Sequence, residues 1–389
     1  MTIDRDRLTF DGLLRTPRIV LCCGPGGVGK TTTAAAIGLG IAMSGRRCAV
    51  VTIDPAKRLA NALGLEGLTN QPARIALGDH PASASGGELW ALMLDTRATF
   101  DDLVRAHAPT PEQADRILAN PFYRNISGSL SGTQEYMATE KLYELAHEPR
   151  DADGNALPPF DCIVVDTPPS RSALEFVTAP ERLTRFLDNR IFRALTAPAR
   201  GGLRVVGFAT QAVLRSIGKV VGGAVIADAV AFFQAFDGME EGFRTRAQAV
   251  LAMLRDDRTA WLVITAPRSE SVEEAVRFTD DLAAEGMAVD GFIANRVQPR
   301  FGPLPPDGTT GPLAAIIHRV HLADARAAGH DDVLRPLVTR VPDAVHVRVP
   351  LQPSDVHDLA GLETIRAALF DADPLDPPPG RTRATRQRR

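Results

Sequence analysis

Apolar residues come in short continuous runs separated by long polar and alanine-rich stretches. Arg18–Cys23, Cys48–Ile53, Leu89–Leu94, Cys162–Val165, Trp261–Thr265, Gly291–Ala294 and Val345–Val349 are each four to six residues long. Apart from Val345–Val349 none alternates apolar with polar, so the runs predict strands covered on both faces, as in a parallel sheet between helix layers. The alanine-rich segment Thr31–Met43 follows the first run and predicts a helix. The expected fold is therefore α/β, doubly wound around a mainly parallel sheet. Two long intervals, about 97–150 and 178–256, read as helical and predict a helical subdomain inserted on one side of that sheet. The second holds an apolar stretch, Leu203 to Phe236, with Arg204, Arg215, Lys219 and Asp228 as its charges. A helical face of that kind is either a groove for hydrophobic cargo or core between helices.

The predicted organisation is an N-terminal segment over 1–15, one domain over 16–370 and a tail over 371–389. The tail combines prolines with a basic end and is expected to be disordered. Residues 299–312, rich in Pro and Gly, predict a flexible loop. Hydrophobic residues make up 44% of the 389, enough for a sizeable core. Basic and acidic residues number 44 and 47, so a strongly basic nucleic-acid-binding surface is not expected. No apolar stretch is long enough to span a bilayer, and the first 15 residues lack the apolar centre of a signal peptide. The expected location is cytoplasmic. Cys22, Cys23, Cys48 and Cys162 lie in the strand runs and form no C-x-x-C pair, which argues against a cysteine-built zinc site. His318 and His321 share a helical face and read as a solvated surface.

The strongest chemical signal lies between the first run and the first helix. Gly24-Pro25-Gly26-Gly27-Val28-Gly29-Lys30-Thr31 matches G-x-x-x-x-G-K-[ST] in full. Such a loop wraps backbone N–H groups around phosphate oxygens, and the helix N-terminus adds positive potential. ATP and Mg²⁺ are the expected ligands. Lys30, expected to face solvent when no ligand is bound, would reach the β- and γ-phosphates. Thr31 would offer its hydroxyl to Mg²⁺, and Thr32 continues the cradle. Asp54 follows the second run, at a strand end that faces the phosphate site in doubly wound folds. It suits orientation or deprotonation of the attacking water, or the plainer task of capping a helix. Asp166 follows the fourth run, where an aspartate holds Mg²⁺ through water. Asn295 follows the sixth run and can read a base edge; Pro350 follows the seventh and can line the same base.

The loop, Asp54-Pro55-Ala56 and the run Asp166-Thr167-Pro168-Pro169-Ser170-Arg171-Ser172-Ala173-Leu174 occur together and in order. Over roughly residues 16–370 the chain resembles the ArsA/Get family of dimeric ATPases. That family belongs to the deviant Walker A class of P-loop NTPases, with MinD, ParA and the nitrogenase iron protein. The resemblance implies that Lys30 and Thr31 bind phosphate and Mg²⁺, that Asp54 positions the hydrolytic water, that Asp166 belongs to the second switch and that Asn295 reads adenine. It implies a dimer, and a helical subdomain that holds cargo. Three departures stand out. The family's first loop lysine, which reaches across the dimer to the partner's nucleotide, is Pro25, which carries no charge and no backbone donor. Lys57-Arg58 and Arg171-Ser172 replace the family's paired switch residues. The family's arsenite-binding cysteines have no counterpart. The expected partner is a second copy of the chain or a paralogue that carries the missing lysine. Two other readings stay open: a nucleotide-binding regulatory subunit with little turnover, which Pro25 supports, and a ParA/MinD-type positioning ATPase. The second is disfavoured because the basic tail has prolines and no apolar face.

Overall fold

In the computed structural model all seven predicted runs are strands of one sheet. The structure describes residues 9–53, 58–78, 80–126, 133–187, 228, 230–232, 234–235, 238–301 and 310–371. The strands are β1 (Ile19–Cys23), β2 (Arg47–Thr52), β3 (Ala73–Arg74), β4 (Glu88–Met93), β5 (Cys162–Asp166), β6 (Thr259–Thr265), β7 (Gly291–Val297) and β8 (Val345–Pro350). Their order across the sheet is β3-β4-β2-β5-β1-β6-β7-β8. All neighbours run parallel except β3 with β4, which are antiparallel. The fold is α/β, with a mainly parallel sheet and flanking helices. β3 was not predicted: its two residues are exposed and cap one edge of the sheet.

The absence of alternation follows from burial on both faces. Every residue of β1 is buried, yet the strand still divides by parity. Val20 and Cys22 enter one apolar core, with Ala34, Ile37 and Ile41 of the helix Lys30–Met43 and Leu362 and Leu369 of the helix Leu359–Phe370. Ile19, Leu21 and Cys23 enter the other, with Leu142 and Leu145 of the helix Thr133–His147, Phe176 of Ser170–Leu187 and Phe278 of Ser269–Ala284.

A third core is entirely helical. It joins Leu103 and Val104 of the helix Thr96–His107, Ile117 of Pro111–Ala119, Tyr123, Tyr136 and Met137, and Phe243 and Ala247 of Glu240–Leu254. The helix Thr133–His147 thus serves two cores: Tyr136 and Met137 face the helical one, Leu142 and Leu145 the sheet. The apolar stretch Leu203–Phe236 lies largely outside the described residues, as do 302–309 of the Pro/Gly loop and the tail from 372. No helix among the described residues is long and apolar enough to cross a membrane.

A buried acid sits in the contact between these helices. Tyr136 donates to Glu140 Oε1 at 2.5 Å, and Arg246 pairs with Glu140 Oε2 at 3.2 Å while lying 4.0 Å over the Tyr143 ring. Burial pushes Glu140 from its ordinary 4.5 up to about 7, outweighing the Tyr136 hydrogen bond and the Arg246 charge; Glu144 adds to the rise. Burial and Arg246 also hold His107 below its usual range. A carboxyl raised in this way binds its proton more tightly folded than unfolded, so its contribution to stability is present below about pH 4.5 and lost as pH rises through about 7. Wild type is expected to lose about 2 kcal/mol more than Glu140→Gln between pH 5 and pH 7. Denaturant unfolding of both proteins at the two pH values checks this, and equal pH slopes would refute it.

Candidate functional site

The loop leaves the C-terminal end of β1, the strand between β5 and β6. Two of its glycines are required sterically. Gly24 has φ +146°, and a Cβ there would stand 2.0 Å from the Ile264 carbonyl oxygen of β6. Gly29 has φ +91°, and its Cβ would stand 2.4 Å from Asn295 Nδ2. Gly29 is also the N-cap of the helix Lys30–Met43, without a side-chain capping bond. The first-turn N–H groups of a 14-residue helix therefore open onto the loop, the arrangement that suits an anion. Val28 is buried, while Gly26 and Gly27 are exposed at the loop's tip.

Lys30 does not face solvent, and this corrects the sequence expectation. It is 7% exposed, and its ammonium donates to the carbonyls of Gly24 at 2.9 Å and Pro25 at 2.8 Å. The proline that brings no charge to the loop thus serves it as an acceptor.

Strand register builds the second half of the site. Asp166, the last residue of β5, is level with Cys22 of β1 on one side and Thr52 of β2 on the other. Its Oδ2 accepts from the hydroxyls of Thr31 at 2.7 Å and Thr52 at 2.9 Å. Thr167 follows, its hydroxyl bonded to the Cys22 carbonyl at 2.9 Å, which ties the β5 end to β1. A hydroxyl and a carboxylate in direct contact beside a phosphate-type loop form a donor set suited to Mg²⁺, which usually takes one or two carboxylates and completes its shell with phosphates and water. Among the described residues there is no cluster of three or more His, Cys, Asp or Glu that could form an all-protein cage. His318 is exposed and His321 half-buried on the helix Ala314–Arg340.

On the other side of the loop, Asn295 is 8% exposed and donates from Nδ2 to the Val28 carbonyl at 2.8 Å, while its Oδ1 accepts from the Arg296 N–H at 2.9 Å. One amide donor holds the loop and one lone pair takes the Arg296 N–H, leaving one of each for a ligand. The sheet register shifts between Ala294 and Val297, and Arg296 in that irregularity has φ +60°. Its guanidinium donates to the Gly27 carbonyl at 3.1 Å. A cavity of about 550 Å³ opens here, with Gly29, Thr32, Asn295, Arg296, Arg268 and Pro350 in its wall.

Asp54 and Lys57 lie outside the described residues. Ile53, just before them, donates its N–H to the Asp166 carbonyl at 3.3 Å and accepts from Gln134 Nε2 at 3.2 Å. The end of β2 is thereby tied both to β5 and to the helix Thr133–His147.

A family model described as an anion-transporting ATPase matches residues 17–303. The chain belongs to the anion-transporting ATPase (ArsA) family. Within similar proteins, ATPase BagA of Mycobacterium tuberculosis is 25% identical over 282 residues, which cover 72% of this chain and 65% of BagA. An uncharacterized protein of Streptomyces coelicolor is 30% identical over 299 residues, 76% of this chain and 66% of that one. ATPase GET3 of Malassezia globosa is 22% identical over 280 residues, 72% of each chain. The match therefore spans 65% of the mycobacterial relative's length.

In this ArsA-family chain the structure brings Lys30, Thr31 and Asp166 together at one end of the sheet, and Asn295 and Pro350 together with Gly29 and Thr32 around the cavity. Thr52, Arg296 and Gln134 were not singled out from the sequence. Thr52 had a faint signal, as a hydroxyl within the second apolar run; Arg296 and Gln134 had none.

Proposed function

We propose that this chain is a Mg²⁺-dependent ATPase whose nucleotide state is coupled to its helical part, which takes a hydrophobic cargo or a protein partner. The observation that carries the reading is the Thr31–Asp166–Thr52 cluster beside a glycine loop that a side chain at Gly24 or Gly29 would obstruct. The loop N–H groups and Lys30 hold the phosphates, with Lys30 exchanging loop carbonyls for phosphate oxygens. Thr31 and Asp166 hold Mg²⁺, which when bound offsets charge on the phosphates. Asn295 and Pro350 border the base. Asp54 orients the water. Gln134 gives a direct route from the end of β2 to the helix shared by the sheet and the helical core, so movement beside Asp54 reaches that core through one hydrogen bond.

The test is phosphate release from ATP by the purified chain with Mg²⁺ titrated, repeated with Asp166→Asn. Asparagine keeps one oxygen for the Thr31 and Thr52 hydroxyls and removes the charge. Mg²⁺-dependent turnover is expected to fall about 10–100-fold, the usual effect of losing a group that supports a bound metal. A wild-type chain that binds no ATP in calorimetry would overturn the proposal.

Pro25 favours a second reading, a dimer subunit with little turnover of its own. Its carbonyl is held by Lys30, and it offers no cation to a partner's nucleotide. A paralogue carrying lysine at that loop position would supply one to this chain. The same assay separates the two readings: a mixture that exceeds the sum of its parts favours the heterodimer, and brisk turnover alone favours the homodimer.

A further inference from the structure

Arg296 is held in an unusual way for an exposed arginine. It is the one non-glycine residue with positive φ among the described residues. It sits where the β7 ladder slips against β8, and irregularities of that kind re-aim side chains beside functional sites. Its N–H is fixed by Asn295 Oδ1, and that same amide holds the Val28 carbonyl. The outcome of this strained, buttressed backbone is a solvent-exposed guanidinium laid onto Gly27 at the loop's tip. Strain kept in place by its surroundings points to a role for the aimed side chain.

The surroundings define what it can bind. The cavity wall carries Arg268 and Arg296 against one carboxylate, Asp355. His330, also in the wall, accepts the Gln298 N–H on Nδ1 and is kept below its usual range by burial, so it adds no cation near neutral pH. The balance favours an anion. Gly29 and Thr32 place the start of the helix Lys30–Met43 in the same wall, so an anion there lies beside the helix N-terminus as well.

We propose that Arg296 binds the phosphates of the adenine nucleotide directly, releasing the Gly27 carbonyl when the nucleotide enters. Lys30 then acts at the start of the loop and Arg296 at its tip, each resting on loop carbonyl oxygen until a polyphosphate replaces it. Arg296 is a binding residue in this scheme; Asn295 is a positioning residue that sets its direction. The proposal rests on the ATPase reading above.

The test compares ADP·Mg²⁺ binding to wild type, Arg296→Asn and Arg296→Lys by calorimetry at 50 and 500 mM KCl. Asparagine suits positive φ, so the backbone is preserved and melting is expected to be unchanged or higher. Loss of a charge-assisted contact predicts about a tenfold to hundredfold weaker ADP binding for Arg296→Asn in low salt. The deficit should shrink at high salt, where an exposed charge is screened over about 3–5 Å. Arg296→Lys should recover most of the affinity. A role confined to bracing Gly27 would instead give a deficit independent of salt, and that result, or wild-type affinity in Arg296→Asn, overturns the proposal. If wild type itself binds no ADP, the ATPase reading falls first and this inference with it.

Discussion

Lys30→Ala is expected to weaken ATP binding by at least about a hundredfold. Each charge-assisted hydrogen bond contributes about 1.5–3 kcal/mol, and a lysine reaching two phosphate groups makes at least two of them. The resting position of Lys30 adds a second effect. The ammonium is nearly buried and bridges the Gly24 and Pro25 carbonyls, so it also fixes the first turn of the loop. The alanine variant should therefore melt at a lower temperature as well as bind poorly. Calorimetric titration with ATP·Mg²⁺ well below the variant's melting point separates the two effects. A folded Lys30→Ala protein with wild-type affinity would remove the loop from the nucleotide site.

Asp54→Asn is expected to leave ATP binding in place and reduce turnover by about 10²–10⁴-fold, the range typical of a group that orients or deprotonates a reacting water. Ile53, the residue before Asp54, is hydrogen-bonded to β5 at Asp166 and to the helix Thr133–His147 at Gln134, which holds the end of β2 next to the Thr31–Asp166 cluster. Single-turnover rates with saturating nucleotide provide the measurement. Unchanged turnover would return Asp54 to the role of a helix cap.

What could be read from the sequence depended on whether the physical cause was local. β1, β2, β5, β6 and β7 are covered on both faces over most of their length, and that burial imposes a continuous apolar run that any reader of the chain can see. β3 leaves no such mark, because its two exposed residues are strands only by pairing with β4. The loop was legible because its constraint, backbone wrapped closely with no room for a Cβ, is met by glycine at fixed spacing. Thr52 was not, because its part depends on parallel register that sets it level with Asp166, 114 positions away. Arg296 was hidden for a related reason: a shift in register, absent from any composition, turns its side chain onto the loop. The exposure of Lys30 was misjudged because nothing in the motif says which carbonyls a lysine takes when phosphate is not there. The helical intervals showed their type but not their division, since the helix Thr133–His147 belongs to two cores at once.

All four cysteines are free and buried within the sheet. Burial pushes the Cys22, Cys23 and Cys48 thiols up, Cys23 to about 12, which suppresses the thiolate that alkylating reagents require. Cys22, Cys48 and Cys162 lie under the layer containing the helix Lys30–Met43, and Cys23 lies under the layer on the opposite face. An alkylating reagent reaches each thiol only when the layer above it opens, and in the slow-opening regime its rate follows that opening. The native chain therefore carries a two-sided chemical clock. Mass spectrometry of its alkylated peptides times the detachment of each helix layer separately, with no label introduced and no residue changed.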